Sequence, residues 1–175
     1  MKRLPLLLSI VCCFVMVSCL EDQDTIRWHK ANEAFMEGLK DSTDIFPLEH
    51  CDTLISQKEG VELQKMPATG VYYKVIKDAD GQRPLSGQSV VVNYTGSFYN
   101  GERFDSGYST FSLGNSSSLI DGFYYALLHM SVGAHWIVYI PYYLGYGSTE
   151  YYYSTPRIPA YSTLVFDVEL KEIKD

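Results

Sequence analysis

Apolar positions along this chain follow two periods. Leu164, Phe166, Val168 and Leu170 alternate with Val165, Asp167, Glu169 and Lys171, so one face of an extended strand is apolar. Val90, Val92 and Tyr94 alternate with Val91, Asn93 and Thr95, and Val71, Tyr73 and Val75 with Tyr72, Lys74 and Ile76. Both segments are expected strands. Residues 136–140 are another, stopped by Pro141, which has no N–H to give a ladder. Two further stretches carry a helical period. Ile120, Phe123, Leu127 and Met130 fall at i, i+3, i+7 and i+10, with Ser116, Ser117 and Ser118 as N-cap candidates and Gly133 beyond the end. Trp28, Ala31, Phe35 and Leu39 fall at i, i+3, i+7 and i+11, with Asp24 or Thr25 as the cap and Gly38 near the end. Many strands interrupted by one helix predict an α+β domain: an antiparallel sheet with its helix laid on one face.

The pattern divides the chain into three parts. Residues 1–18 have the plan of an export signal, with Lys2 and Arg3 before an almost wholly apolar run too short for a comfortable membrane span. Residues 19–68 form a tether and an N-terminal helical extension, punctuated by Pro47 and Pro67. The helical stripe there is expected to pack within the chain rather than on a second copy. Residues 69–175 are the main domain.

Composition adds exclusions. The chain is 46% hydrophobic and 20% charged, as globular chains are. A net charge of -7, with no basic run after the first three residues, speaks against nucleic acid as a partner. His29, His50, His129 and His135 show no metal-ligand spacing with cysteine or carboxylates, so no metal site is expected. Neither a G-x-S-x-G elbow nor a phosphate-binding glycine loop occurs. With Cys12 and Cys13 in the signal and Cys19 at its end, Cys51 is left over. It is either a buried small apolar residue or a free thiol.

Seven segments then carry a family resemblance, in order. Thr69-Gly70-Val71-Tyr72-Tyr73-Lys74-Val75-Ile76 is similar to the opening strand of bacterial FKBP domains. Val90-Val91-Val92-Asn93-Tyr94-Thr95-Gly96 resembles their V-x-V-x-Y-x-G strand, and Gly101-Glu102-Arg103-Phe104-Asp105-Ser106 their G-x-x-F-D-S segment. Leu119-Ile120-Asp121-Gly122-Phe123 resembles the V-I-x-G-W helix start, and Met130-Ser131-Val132-Gly133 the M-x-x-G that follows. Ile140-Pro141 with Tyr146-Gly147 resembles I-P…A-Y-G, and Ile158-Pro159 with residues 162–170 the closing strand. The fold this resemblance implies is a curved antiparallel sheet wrapped around one short helix.

The activity it implies is peptidyl-prolyl cis-trans isomerisation of proline-containing polypeptides, without metal or organic cofactor, assisting the folding of exported proteins. Carried over residue by residue, Tyr94, Phe104, Ile120, Phe123 and Phe166 line an apolar pocket, Leu119 sits at its edge and Ile158 on the loop above. The Ile120 N–H binds a substrate carbonyl and the Tyr146 phenol another. Asp105 either tunes the polarity beside the reacting carbonyl or orders a nearby tyrosine. A macrolide ligand of the FK506 type follows from the same resemblance. Departures are the Phe123 floor, commonly Trp in the family, Gly107 for a second Ser, and Gly145 for Ala. Residues 139–161 also hold eight of the 15 tyrosines. The alternative implied by the floor and that loop is a non-catalytic binding module using the same pocket.

At the N-terminus, Met16-Val17-Ser18-Cys19 resembles a bacterial lipobox. It implies cleavage before Cys19, acylation of that thiol and an outer-membrane lipoprotein facing periplasm or cell surface. The following Leu20-Glu21-Asp22-Gln23-Asp24 resembles surface-export signals of Bacteroidetes lipoproteins. Asp24-Thr25-Ile26, Asp41-Ser42-Thr43 and Asp52-Thr53-Leu54 resemble the O-glycosylation pattern of envelope proteins from the same group.

Overall fold

A computed structural model describes residues 22–48, 70–114 and 119–174. Six strands form one antiparallel sheet: β1 Phe46–Pro47, β2 Tyr72–Lys77, β3 Ser89–Phe98, β4 Arg103–Ser112, β5 His135–Ile140 and β6 Leu164–Lys174. Their spatial order is β1-β2-β5-β6-β3-β4, so β6, the last of these six in sequence, lies near the middle of the sheet. Among the described residues two α-helices accompany it, α1 Gln23–Leu39 and α2 Asp121–His129. Cys19, Cys51, His50, Pro67, Ser116, Ser117 and Ser118 lie outside the described residues.

The register explains the core. On one face, Trp136–Val168–Tyr94, Val138–Phe166–Gly96 and Ile140–Leu164–Phe98 form three rows across β5, β6 and β3. The alternating apolar face expected of residues 164–170 is thus the core face, with Leu164, Val168 and Leu170 fully buried. The middle row contains a glycine, and the space beside Gly96 is taken by two rings. A Cβ there would sit 2.7 Å from Phe104 Cζ and 3.0 Å from Phe166 Cε1.

Helix α2 lies on this face and buries Gly122, Phe123, Ala126, Leu127 and Leu128. Its start differs from the expected serine cap. Ile120 is the N-cap, no side chain caps it, and its carbonyl accepts from the N–H groups of Phe123 and Tyr124 at 3.1 Å each. Asp121 in the first turn complements the helix dipole instead. Gly122 lets the helix approach β5, since a Cβ there would run into Ile140 Cγ2.

Helix α1 also corrects an expected cap. Asp22, rather than Asp24 or Thr25, is the N-cap, and its carboxylate accepts from the Asp24 N–H at 3.3 Å. Asp24 sits in the first turn and pairs with Arg27 at 3.4 Å. The stripe packs within the chain. Trp28 meets Phe98 and Tyr99 at ring-centroid distances of 5.6 and 5.1 Å, and Phe35 meets Tyr99 and Tyr139 at 6.0 Å each. Pro47 stands in the edge strand β1, where a missing N–H costs no ladder bond.

Gly122→Ala is expected to lower stability by about 1–3 kcal/mol, the cost of overpacking a filled contact. Urea unfolding checks this; an unchanged midpoint at unchanged slope would mean that α2 does not press on Ile140 as described.

Candidate active site

Five elements bring the expected residues together. β3 carries Tyr94, β4 carries Phe104 and Asp105, the entry to α2 carries Leu119 and Ile120, its first turn carries Phe123, and β6 carries Phe166. Tyr146 follows a short 3-10 helix, Tyr142–Leu144, and Ile158 precedes β6.

Phe166 is the hub. Its ring lies 4.6 Å from Phe123, 5.7 Å from Phe104 at an edge-on 89°, and 6.3 Å from Tyr94. Such tilted and edge-on contacts match the positive rim of one ring to the negative face of another. Phe123, Phe166 and Phe104 are only 2%, 5% and 6% exposed. They form a packed aromatic floor, and Tyr94, Leu119, Ile120 and Tyr146, each half-buried against the same core, supply the accessible rim. Ile158 is fully buried and exchanges two backbone hydrogen bonds with Tyr151.

Polar groups are few. The Tyr94 hydroxyl donates to Asp105 Oδ2 at 2.8 Å, and Asp105 Oδ1 accepts from the Ser106 N–H at 2.8 Å. Of the two roles expected for Asp105, ordering a tyrosine is the one with a contact behind it. As N-cap, Ile120 lies outside the helical ladder, and among the described residues no acceptor meets its N–H. Burial, then the hydrogen bond and charge of Asp105, push the Tyr94 phenol up to about 12. Burial, then neighbouring Tyr151 and Asp105, raise Tyr146 too. Both hydroxyls therefore stay protonated donors at neutral pH.

Three contributors escaped the sequence reading. Phe111 meets Tyr94 at 5.6 Å and Phe123 edge-on at 5.9 Å. It ends the inward face of β4, whose other members Asp105, Gly107 and Ser109 are not apolar, so no hydrophobic alternation announces it. Gly96 was visible as a motif letter, but its role appears only with the register. Tyr151 lies over Tyr146, with ring centroids 4.3 Å apart, and was one of many tyrosines in its stretch.

A tyrosine in an unfolded chain ionises near pH 10. Tyr94 therefore contributes stability that is complete below about pH 10 and is lost as pH rises through about 12. Carbon-13 NMR of ring-labelled tyrosine, assigned with Tyr94→Phe, should find its midpoint near 12. Asp105→Ala should lower that midpoint only part of the way, because burial is the larger cause. A wild-type midpoint near 10 would refute the description.

Residues 81–171 match the family model of FKBP-type peptidyl-prolyl cis-trans isomerases, just over half of the 175 residues. The FKBP-type isomerase FkpA of Escherichia coli K12 is 36% identical over 115 residues, covering 63% of this chain and 40% of that protein. The peptidyl-prolyl cis-trans isomerase Mip of Coxiella burnetii is 37% identical over 127 residues, covering 70% and 51%. The chain thus spans about half, or less, of these relatives' lengths. The crystal structure of a peptidyl-prolyl cis-trans isomerase from Pseudomonas syringae pv. tomato superimposes with a TM-score of 0.68 at 26% identity, over 88% of this chain and 98% of that one. That of FkpA from Escherichia coli shares the fold, with a TM-score of 0.64 at 24% identity over 99% of this chain and 74% of that one. With its ordered motifs, its sheet and its aromatic floor accounted for, the chain belongs to the FKBP-type peptidyl-prolyl cis-trans isomerase family.

Proposed function

We propose that this chain is a peptidyl-prolyl cis-trans isomerase acting on proline-containing polypeptides in the cell envelope, with residues 69–175 as its isomerase unit. The observation that carries the reading is the aromatic floor of Phe104, Phe123 and Phe166 beneath a rim that holds two protonated phenols and, at Ile120, a backbone N–H that meets no acceptor among the described residues.

Amide resonance raises a barrier of roughly 18–20 kcal/mol to rotation about the X–Pro bond. The twisted transition state has lost conjugation, so its amide is less polar than the planar form along the C–O direction. A site that excludes water from that amide while hydrogen-bonding its neighbours favours the twisted form. Here the proline ring would rest on the apolar rim of Tyr94, Leu119 and Ile120 above the phenylalanines. The Ile120 N–H and the Tyr146 phenol would donate to substrate carbonyls. Asp105 would keep Tyr94 in its place. No step requires a nucleophile or a bound cofactor. The apolar pocket and its donors would also suit a macrolide of the FK506 type.

A second reading is a binding module without turnover. Tyr153 is 90% and Tyr152 61% exposed at the tip of the tyrosine-rich loop, next to Tyr151 and the pocket, and exposed aromatics of this kind hold unfolded chains well. The resemblance of residues 16–19 to a lipobox supports an envelope lipoprotein anchored through acylated Cys19.

Turnover of a short X–Pro peptide decides between the two. Tyr146→Phe should lower kcat/KM about fivefold, the worth of one hydrogen bond of about 1 kcal/mol. Adding Phe104→Ala should abolish the remainder. Peptide binding with no rate above the uncatalysed one would establish the module reading instead. For the anchor, labelled fatty acid should enter the full chain and not Cys19→Ala; equal labelling of both would dismiss it.

A further inference from the structure

Helix α1 contributes no group to the proposed chemistry, yet its polar contacts converge on one stretch of the distant chain. Trp28 Nε1 donates to Ser162 Oγ at 3.1 Å, and that hydroxyl donates to the Pro159 carbonyl at 2.7 Å. Asn32, only 1% exposed, accepts from the Thr163 N–H at 2.6 Å and donates to the Trp28 carbonyl at 2.8 Å. The His29 ring stacks on Tyr161, centroids 4.0 Å apart and 12° from parallel, and meets Tyr142 edge-on at 5.4 Å. His29 Nε2 lies 3.2 Å from Glu33 Oε1 without the alignment of a hydrogen bond. Three polar or aromatic residues of one helix, Trp28, His29 and Asn32, thus grip residues 159–163.

A helix that only covered apolar surface would not need His29 and Asn32. Trp28 and Phe35 already pack on Phe98, Tyr99 and Tyr139. A buried asparagine is costly unless its amide is satisfied, and Asn32 spends its carbonyl on the N–H just before β6 begins. Tyr161 has φ of 60°, a left-handed conformation that a non-glycine residue keeps only where its surroundings enforce it. The rings of His29 and Tyr142 are those surroundings.

What the grip controls can be followed atom by atom. The Tyr161 N–H donates to the Gly147 carbonyl at 3.0 Å, and the Gly147 N–H donates to the Tyr142 carbonyl at 2.9 Å. Tyr146 is the residue between Gly145 and Gly147, both of which are tied to Tyr142. Ile158 stands next to Pro159, whose carbonyl Ser162 holds, and its bridge to Tyr151 places that ring on Tyr146. We infer that α1 is a brace for the active-site loop: His29, Asn32 and Trp28 are positioning residues that set Tyr146 at the pocket rim, with the buried Ile158 linked to it through Tyr151. The catalytic consequence rests on the isomerase reading; the brace itself does not.

The test uses the full chain and compares His29→Ala, His29→Phe and Asn32→Ala with wild type. Amide hydrogen exchange of residues 142–163 should quicken in both alanine variants while β3 and β6 keep wild-type protection. His29→Phe, which retains a flat ring over Tyr161, should restore loop protection. In the X–Pro peptide assay the alanine variants should lose about tenfold in kcat/KM, the cost of a misplaced donor, with His29→Phe near wild type. Unchanged loop exchange in both alanine variants would overturn the brace. So would quickening spread evenly over the sheet, which marks general destabilisation, or quickened loop exchange with full kcat/KM. Should wild type itself show no turnover, the isomerase reading falls, and the brace stands or falls on the exchange pattern alone.

Discussion

Gly96 and Phe166 face each other across β3 and β6, and the site rests on that pairing. A side chain at Gly96 would occupy the volume now shared by the rings of Phe104 and Phe166. Phe104 would leave the floor, and with it the bulge of β4 that turns Asp105 toward Tyr94. The fold gives up strand propensity at this one position, since glycine has no side chain to pack, and obtains ring packing in return. Phe104, Phe123 and Tyr94 are arranged around Phe166, which stands on β6 between β5 and β3.

The same packing determines which groups keep their protons. Tyr94 and Tyr146 are raised first by burial and then by neighbouring polar groups. Asp105 is exposed and holds Tyr94 from the solvent side, so one carboxylate supplies both orientation and a barrier to ionisation. The floor is apolar and its rim donates, a division of labour suited to an amide that changes shape without exchanging atoms.

Much of this was legible in residue order. The period of two over residues 164–170 is the core face of β6, and the helical stripe from Phe123 to Leu127 is the buried face of α2. The resemblance brought Tyr94, Phe104, Asp105 and Phe166 to one place before any register was known. The rest was hidden for physical reasons. Ile120 has helical spacing yet serves as the cap, because period does not say where the first hydrogen bond closes. Asn32 reads as a polar residue beside an apolar stripe, and its worth depends on the Thr163 N–H, 131 residues away. Phe111 lies on a strand face that is otherwise polar.

The sheet order has a consequence for how the chain must come together in time. β6 lies between β5 and β3, and Ser97 and Val165, cross-strand partners on β3 and β6, are 68 residues apart. During synthesis β3 and β4 can pair as a hairpin, but β5 and β3 have no shared neighbour until β6 emerges and enters between them. Closing so long a loop is slow, because its entropy is spent before any contact rewards it. A protein proposed to speed the folding of others is therefore itself held open until β6 has been made.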